Sequence, residues 1–459
     1  MIKRTLKKIH EMVNGLNNIS GFETIEVKGV SINSRTLTEG NLFVPLTGEQ
    51  TDGHKYVQGA LENGAAAAFW KKDVPNPPEH QPVIIVEDPE QALQRLAKAY
   101  RDQLDVKVVG VTGSNGKTTT KDMIAALLAT KYKVHKTSGN YNNHLGLPLT
   151  LLSMPEDTEA AVLEMGMSSR GEIEFLSKMA RPDIAVITNI GESHLLDLGS
   201  REEIANAKLE IVDGLAKGGL LIYHGDEPLL IERIAKRKDA FRSLCFGRND
   251  ENDIYPLEIS QDQNSTSFTV SGREEKYVIP VLGRHNVLNA LAAMLVAREL
   301  GVDEEHMQSG LSTISITNMR MEMVAGAHGE KIINDAYNAS PTSMKAAIEL
   351  IEGMSGFSKK ILVLGDMLEL GPHEKNFHLK IGEHISPEEI DWIFTYGALG
   401  KYIAEGAASS FSSERVLSFM DKQELISSLK KHAGANDLIL VKASRGMKLE
   451  EVVKALQEA

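Results

Sequence analysis

The sequence predicts an α/β protein of three domains: a small mixed N-terminal one, a central one with a mostly parallel sheet, and a C-terminal one with a smaller open sheet. The chain has 459 residues, and about 150 residues is usual for one domain. Short apolar runs recur, each followed by a Gly or polar cluster and then a helical pattern, the rhythm of strands covered on both faces. One of these runs leads into a turn rich in Gly, Lys and Thr just ahead of a helix, the setting of a phosphate loop.

The elements follow in order. Residues 1–104 are mixed: Leu42-Phe43-Val44-Pro45-Leu46 and Val83-Ile84-Ile85-Val86 read as strands, and Ala92, Leu93, Leu96, Ala97, Tyr100 and Leu104 keep helical spacing. Gly48, Gly53, Gly64 and the Pro75 to Pro82 cluster supply turns. In residues 105–320, Val106 to Val111, Ala160 to Leu163, Ile184 to Ile187 and Gly219 to Tyr223 are expected as parallel strands. Phe268-Thr269-Val270 and Tyr277-Val278-Ile279 predict a hairpin, and Val287 to Leu300, apolar nearly all round, a buried helix. In residues 321–459, Lys331-Ile332-Ile333, Ile361 to Leu364, Trp392-Ile393-Phe394 and Leu438 to Val441 alternate with helices, giving a second, smaller open sheet. Asp421 and Glu424 have the spacing of a capping box.

Apolar residues make up 42% and charged residues 25%, which excludes a disordered or fibrous chain. Against 50 Lys and Arg stand 63 Asp and Glu, a net charge of −13, which argues against nucleic acid or an anionic membrane as a partner of the whole surface. The basic segment Met1 to His10 lacks the apolar core of a secretory signal, and no apolar stretch reaches the ~20 residues needed to cross a bilayer. A cytoplasmic protein without membrane insertion is expected, a monomer, with its one cysteine, Cys245, a small buried hydrophobe.

The phosphate loop is Thr112-Gly113-Ser114-Asn115-Gly116-Lys117-Thr118-Thr119-Thr120. Glycines let main-chain N–H groups face phosphate oxygens, the following helix adds its positive end, Lys117 a point charge and Thr118 a hydroxyl for Mg²⁺. The loop is shortened relative to the usual pattern, since Val111 stands where the first glycine would be. Glu164 ends an expected strand and so reaches the carboxyl edge of the sheet, where α/β proteins place ligands. His194 follows the strand Ile184 to Ile187 toward the same rim; as an Mg²⁺ ligand it is unusual, and a His in that position is more often structural. Lys208, in a helical pattern, reads by its residues alone as a solvated lysine paired with an acid one turn away.

These motifs together resemble the Mur ligase family of peptidoglycan precursor synthesis, essentially end to end. Thr112 to Thr119 resembles the family's ATP loop, and Asn140-Tyr141-Asn142-Asn143-His144-Leu145-Gly146-Leu147-Pro148 its Asn-rich segment beside the substrate. The resemblance implies a central P-loop-type ATPase domain over 105–320, a C-terminal Rossmann-like domain over 321–459 that closes on the nucleotide, and a small mixed α/β UDP-sugar domain over 1–104. It implies that Gly113, Ser114, Asn115, Gly116, Lys117, Thr118, Thr119, Asn286, Asn289, Arg320 and Asp335 bind ATP. It places Mg²⁺ on Thr118, Glu164, His194 and Lys208, the last carbamylated by CO₂, with Lys117, Glu164, His194 and Lys208 as the catalytic set. Ser34, Arg35, Asn140, Asn143 and Asn338 are implied to touch substrate. Asn33, Glu192 and Ser193 stand where relatives commonly have Asp, Pro and Ala. The motifs Gly365 to Gly371 with His378, and Lys442-Ala443-Ser444-Arg445-Gly446, belong to the third domain without an assigned contact.

The implied reaction is ATP-driven amide formation. The carboxylate of UDP-N-acetylmuramoyl-tripeptide takes the γ-phosphoryl group, and the amine of D-alanyl-D-alanine displaces phosphate from the acyl phosphate. The alternatives are a related family member adding the third amino acid, and a kinase or nucleotide switch using the same loop.

Overall fold

The computed structural model describes residues 1–48, 51–237, 240–315 and 317–458. Near the N-terminus, strand Lys3–Thr5 pairs antiparallel with Glu26–Lys28. Four parallel strands, Val30–Ser31, Leu42–Phe43, Ala67–Lys71 and Val83–Val86, follow in that order across a sheet. The second is shorter than the run Leu42 to Leu46, because Pro45 has no N–H to continue a ladder. Helix Pro89–Arg101 is capped by Asp88 and buries Ala92, Leu93, Leu96, Ala97 and Tyr100, the face its spacing predicted.

Six parallel strands form the central sheet, in the order Arg242–Phe246, Leu220–His224, Ile184–Ile187, Lys107–Thr112, Ala160–Glu164, Val134–Lys136. Side chains alternate between its faces: Val108, Ala161, Leu163, Ala185 and Ile187 enter a core shared with the N-terminal elements. Val109, Val111, Ala160, Val162, Ile184 and Val186 enter a second core against helix Arg284–Glu299. Two buried faces explain why these strands read as continuous apolar runs. The expected hairpin Thr266–Val270 and Lys276–Ile279 is present, extended by a third strand, Pro256–Gln261. Cys245 is half-buried rather than buried, because its strand is the sheet's edge, and its Sγ lies 3.4 Å from Asp253.

The third sheet runs Glu322–Ala325, Lys331–Asp335, Leu438–Lys442, Lys360–Gly365, Trp392–Tyr396, Val416–Phe419, parallel except for its first strand. Its second and third strands place Asp335 in register with Lys442. Asp421 caps helix Lys422–His432 by accepting the Glu424 N–H. The reciprocal half of the capping box is not formed, since two carboxylates would have to approach each other. The full box occurs at helix Pro341–Gly353, between Ser340 and Ser343. Among the described residues, no helix is long and apolar enough to cross a membrane.

Candidate functional site

The phosphate loop joins strand Lys107–Thr112 to helix Lys117–Ala129. Gly113 (φ +148°) and Gly116 (φ +78°) both need glycine: an added Cβ would stand 1.8 Å from Thr188 Oγ1 at the first and 2.6 Å from Asn289 Oδ1 at the second. The loop is braced from both sides. Asn115 N–H donates to Asn189 Oδ1 (2.9 Å), Thr188 Oγ1 donates to the Asn115 carbonyl (2.6 Å), and Gly191 N–H donates to Ser114 Oγ (2.8 Å). Thr120 Oγ1 donates to Asn289 Oδ1 (3.2 Å), and Asn289 in turn donates to Asn286 (2.9 Å). Asn286 and Asn289 thus carry the loop's geometry as well as facing the cavity.

Register brings the acid to the loop. Glu164, at the end of strand Ala160–Glu164, pairs beside Val111. Its carboxylate accepts the Thr118 hydroxyl (2.9 Å) and the Asn142 amide (2.8 Å), and its main-chain N–H donates to Thr137 Oγ1 (2.9 Å). Lys117 donates to the Gly113 carbonyl (2.8 Å); burial lowers its pKa, and Glu164 opposes that shift.

Lys208 departs most from the reading of its residues alone. It is 2% exposed, and among the described residues it forms no ion pair: burial drives its pKa well down, with Lys117 pushing the same way. A buried amine beside another cation favours the neutral form. His194 turns elsewhere. It precedes the short helix Leu195–Leu198, and its Nδ1 lies 2.8 Å from Glu369 Oε2 of the C-terminal unit. Among the described residues it makes no hydrogen bond to Thr118, Glu164 or Lys208.

The C-terminal unit supplies the facing wall. Asp335 Oδ2 accepts Lys442 Nζ (2.5 Å) and Oδ1 accepts the Met321 N–H (3.2 Å), while Lys442 also donates to the Asn338 carbonyl (3.0 Å). The Arg320 guanidinium stacks over the Tyr337 ring at 4.0 Å and reaches Thr118 Oγ1 at 3.4 Å. Ser340 Oγ donates to Asn115 Oδ1 (3.2 Å). Between the walls lies a cavity lined by Asn115, Gly116, Thr119, Asn286, Asn289, Arg320, Asp335 and Asn338, all named from the sequence. Thr188, Asn189, His224, His285 and Lys442 line it too and were not assigned there. The signal for Lys442 was its place at the end of an apolar run; for His285 it was the motif Gly283 to Asn286. Burial pushes the His285 imidazole down to about 4.

The other substrate candidates lie outside this cavity. Arg35 N–H donates to Asn33 Oδ1 in a turn (2.9 Å) that also holds Ser34. Asn140 is exposed, and Asn143 Oδ1 accepts the N–H groups of Leu145 and Gly146 at a helix start. Asn143 also borders a separate pocket with Gln94, His144, Arg170 and Phe175. Asn142, quoted only within its motif, is the member that touches Glu164.

Comparison with known proteins gives the family of the chain. Residues 26–101 match the model described as Mur ligase family, catalytic domain, residues 111–297 the Mur ligase middle domain, and residues 319–445 the Mur ligase, glutamate ligase domain. The chain is 54% identical over 459 residues to the UDP-N-acetylmuramoyl-tripeptide--D-alanyl-D-alanine ligase of Bacillus subtilis (strain 168), covering 100% of this chain and 99% of that one. The crystal structure of MurF from Acinetobacter baumannii superposes with a TM-score of 0.90 at 29% identity, covering all of both chains. MurF from Thermotoga maritima in complex with ADP gives 0.82 at 30% identity over 94% of this chain and 97% of that one. With three family models matched in order and a relative of this identity aligned from end to end, the chain belongs to the Mur ligase family.

Proposed function

We propose that this protein joins D-alanyl-D-alanine to UDP-N-acetylmuramoyl-tripeptide, with ATP cleaved to ADP and phosphate, giving the UDP-muramoyl-pentapeptide precursor of peptidoglycan. The observation that carries this reading is the 54% identity to a ligase of that name along the whole chain. ATP is bound at the phosphate loop, Gly113 to Thr119, and the relative from Thermotoga maritima was solved with ADP. Residues 1–104 are assigned to the UDP-sugar, 105–320 to ATP and metal, and 321–459 to closure over nucleotide and dipeptide. The reaction is assigned to the cytoplasm.

Transfer of the γ-phosphoryl group to the tripeptide carboxylate joins two anions, so the demands on the protein are positive charge and alignment. Lys117 and Arg320 supply the charge from opposite walls. Asp335, held by Lys442, and Asn286 with Asn289 orient the nucleoside end. Ser34, Arg35, Asn140 and Asn143 are assigned to the UDP-linked substrate and Asn338 to the cleft. After transfer, the dipeptide amine attacks the acyl carbon and phosphate leaves; no covalent enzyme intermediate is required.

Thr118 and Glu164 fit Mg²⁺, being hard oxygen donors already in contact at 2.9 Å. With His194 and a carbamylated Lys208 they would hold the ion, which when bound neutralises the phosphate and carboxylate charges. The buried surroundings of Lys208 support the carbamate, because CO₂ adds to a neutral amine and releases a proton as the carboxylate forms.

A phosphate-release assay tests the reaction. Release is expected only when UDP-muramoyl-tripeptide and D-alanyl-D-alanine are both present; steady ATP turnover without the dipeptide would instead indicate a kinase or switch. Lys208→Ala is expected to lose activity and to regain part of it with added short carboxylic acids. Wild-type activity in that variant would refute the carbamate's role.

A further inference from the structure

Glu369 has no part in the chemistry above, yet its backbone is held in a rare conformation against the central unit. It sits in the turn between strand Lys360–Gly365 and helix Glu374–His384, at φ +65°, a left-handed conformation that non-glycine residues rarely adopt. Two contacts to the central unit hold it there. Its carbonyl accepts the Leu196 N–H at 2.9 Å, and its carboxylate Oε2 lies 2.8 Å from Nδ1 of His194.

His194 mirrors this condition. It too is left-handed, at φ +64°, and its Nδ1 is shielded from water; among the described residues it has Glu369 Oε2 at 2.8 Å as an ion-pair contact but makes no aligned hydrogen bond. The backbones meet closely, since a Cβ on Gly371 would stand 3.4 Å from the Leu196 Cα. Two strained turn residues from different units therefore face each other, and strain of this kind persists where surrounding contacts over-determine it.

A neutral imidazole carries one proton. A carboxylate beside Nδ1 keeps the proton on that nitrogen and leaves Nε2 as the electron-pair donor, with the ring's rotation fixed. Asp197, whose carboxylate lies within 4.8 Å of the same groups, belongs to His194's own turn and is present whether or not the C-terminal unit is docked. Glu369 arrives only with that unit.

We propose that Glu369 is a positioning residue that sets the tautomer and orientation of His194 for Mg²⁺ ligation, so that the metal site gains full affinity only when the C-terminal unit is docked. This rests on the assignment of His194 as a metal ligand.

The test uses the full chain with a non-hydrolysable ATP analogue, and Mn²⁺ as the probe, its free concentration read by electron paramagnetic resonance. Half-saturating Mg²⁺ in the ligation assay is measured in parallel. Glu369→Gln is expected to weaken Mn²⁺ binding about tenfold and to raise half-saturating Mg²⁺ similarly, with the melting temperature unchanged because the carboxylate is 56% exposed. Glu369→Asp should recover part of the loss, and Asp197→Asn should change little. His194→Ala should lose at least as much, and the double variant should be no worse than His194→Ala alone. If His194→Ala weakens Mn²⁺ while Glu369→Gln does not, or if the two losses add in full, the positioning role is overturned. If His194→Ala leaves Mn²⁺ binding unchanged, the ligand assignment itself fails.

Discussion

Lys208 and Lys442 are each 2% exposed, yet they pose opposite electrostatic problems. Lys442 is matched by Asp335 at 2.5 Å, and removing one partner of a buried pair leaves an uncompensated charge at a penalty of about 3 kcal/mol. Lys442→Met is therefore expected to lower the urea midpoint and to weaken ATP binding. Lys208 has no ion-pair partner to strand among the described residues, so Lys208→Met should leave stability unchanged or raise it by about 1 kcal/mol while abolishing turnover. Urea denaturation of both variants beside the ligation assay separates these outcomes. His285 makes a third prediction. Its pKa of about 4 in the folded chain lies below the ~6.5 of an unfolded histidine, so the unfolded chain takes a proton that the folded one refuses. Stability from this group is full above pH ~6.5 and declines as the pH falls toward 4, by up to roughly 3 kcal/mol. A series of melting curves from pH 7 to pH 4 should show His285→Asn losing less than the parent chain.

At the scale of elements, the phosphate loop works because strand, loop and helix are clamped by neighbours rather than by their own propensity. Gly116 leaves no space: its φ is +78° and Asn289 Oδ1 would meet a Cβ at 2.6 Å. Gly116→Ala is expected to cost about 1–2 kcal/mol of backbone strain and to displace Asn289, weakening ATP at least tenfold by calorimetry; unchanged affinity would mean that Asn289 is free to move. The helix that follows carries a buried pair, Lys121 and Asp122, that apolar spacing does not explain. Asp122 accepts both the N–H (3.1 Å) and the hydroxyl (2.8 Å) of Thr317, three residues before Arg320, and Lys121 donates to the Thr137 carbonyl (2.9 Å). The helix behind the phosphate loop is thereby tied to the segment that delivers Arg320 and to the residue that supports Glu164.

Across the whole molecule, among the described residues, the polar contacts between the central and C-terminal units include Ser340 with Asn115, Thr342 with Glu192, Arg320 with Thr118, Lys331 with Gln263, and Glu369 with His194 and Leu196. Glu192, which stands where relatives commonly have Pro, accepts the Thr342 hydroxyl at 2.8 Å at the start of helix Pro341–Gly353. Removing an exposed bond of this kind is worth about 1 kcal/mol. Glu192→Ala should therefore shift the open-to-docked ratio about fivefold, seen by X-ray scattering as a larger radius of gyration with ATP analogue bound; an unchanged radius would assign docking to the other contacts. The net charge of −13 makes the local arrangement more telling. Lys117 and Arg320 set a positive field at one cleft inside an acidic exterior, while Lys442 is matched by Asp335 and burial drives Lys208 toward its neutral form.

The order of amino acids was enough to expose the sheets, the phosphate loop and the placement of Glu164, because strand periodicity and glycine turns are local properties that leave their mark within a few residues. It was also enough for the resemblance that names Lys208 and His194. It was not enough for their surroundings. Lys208 reads as a solvated lysine paired with an acid until the fold buries it beside Lys117, and Asp335 gains its partner only when strand register sets Lys442 against it. Asn142 and Glu164 are 22 residues apart in sequence, and His194 and Glu369 lie in turns that follow strands of different sheets. Burial, register and domain contact arise between segments distant in sequence, and the field that tunes a charged side chain belongs to all of those segments together.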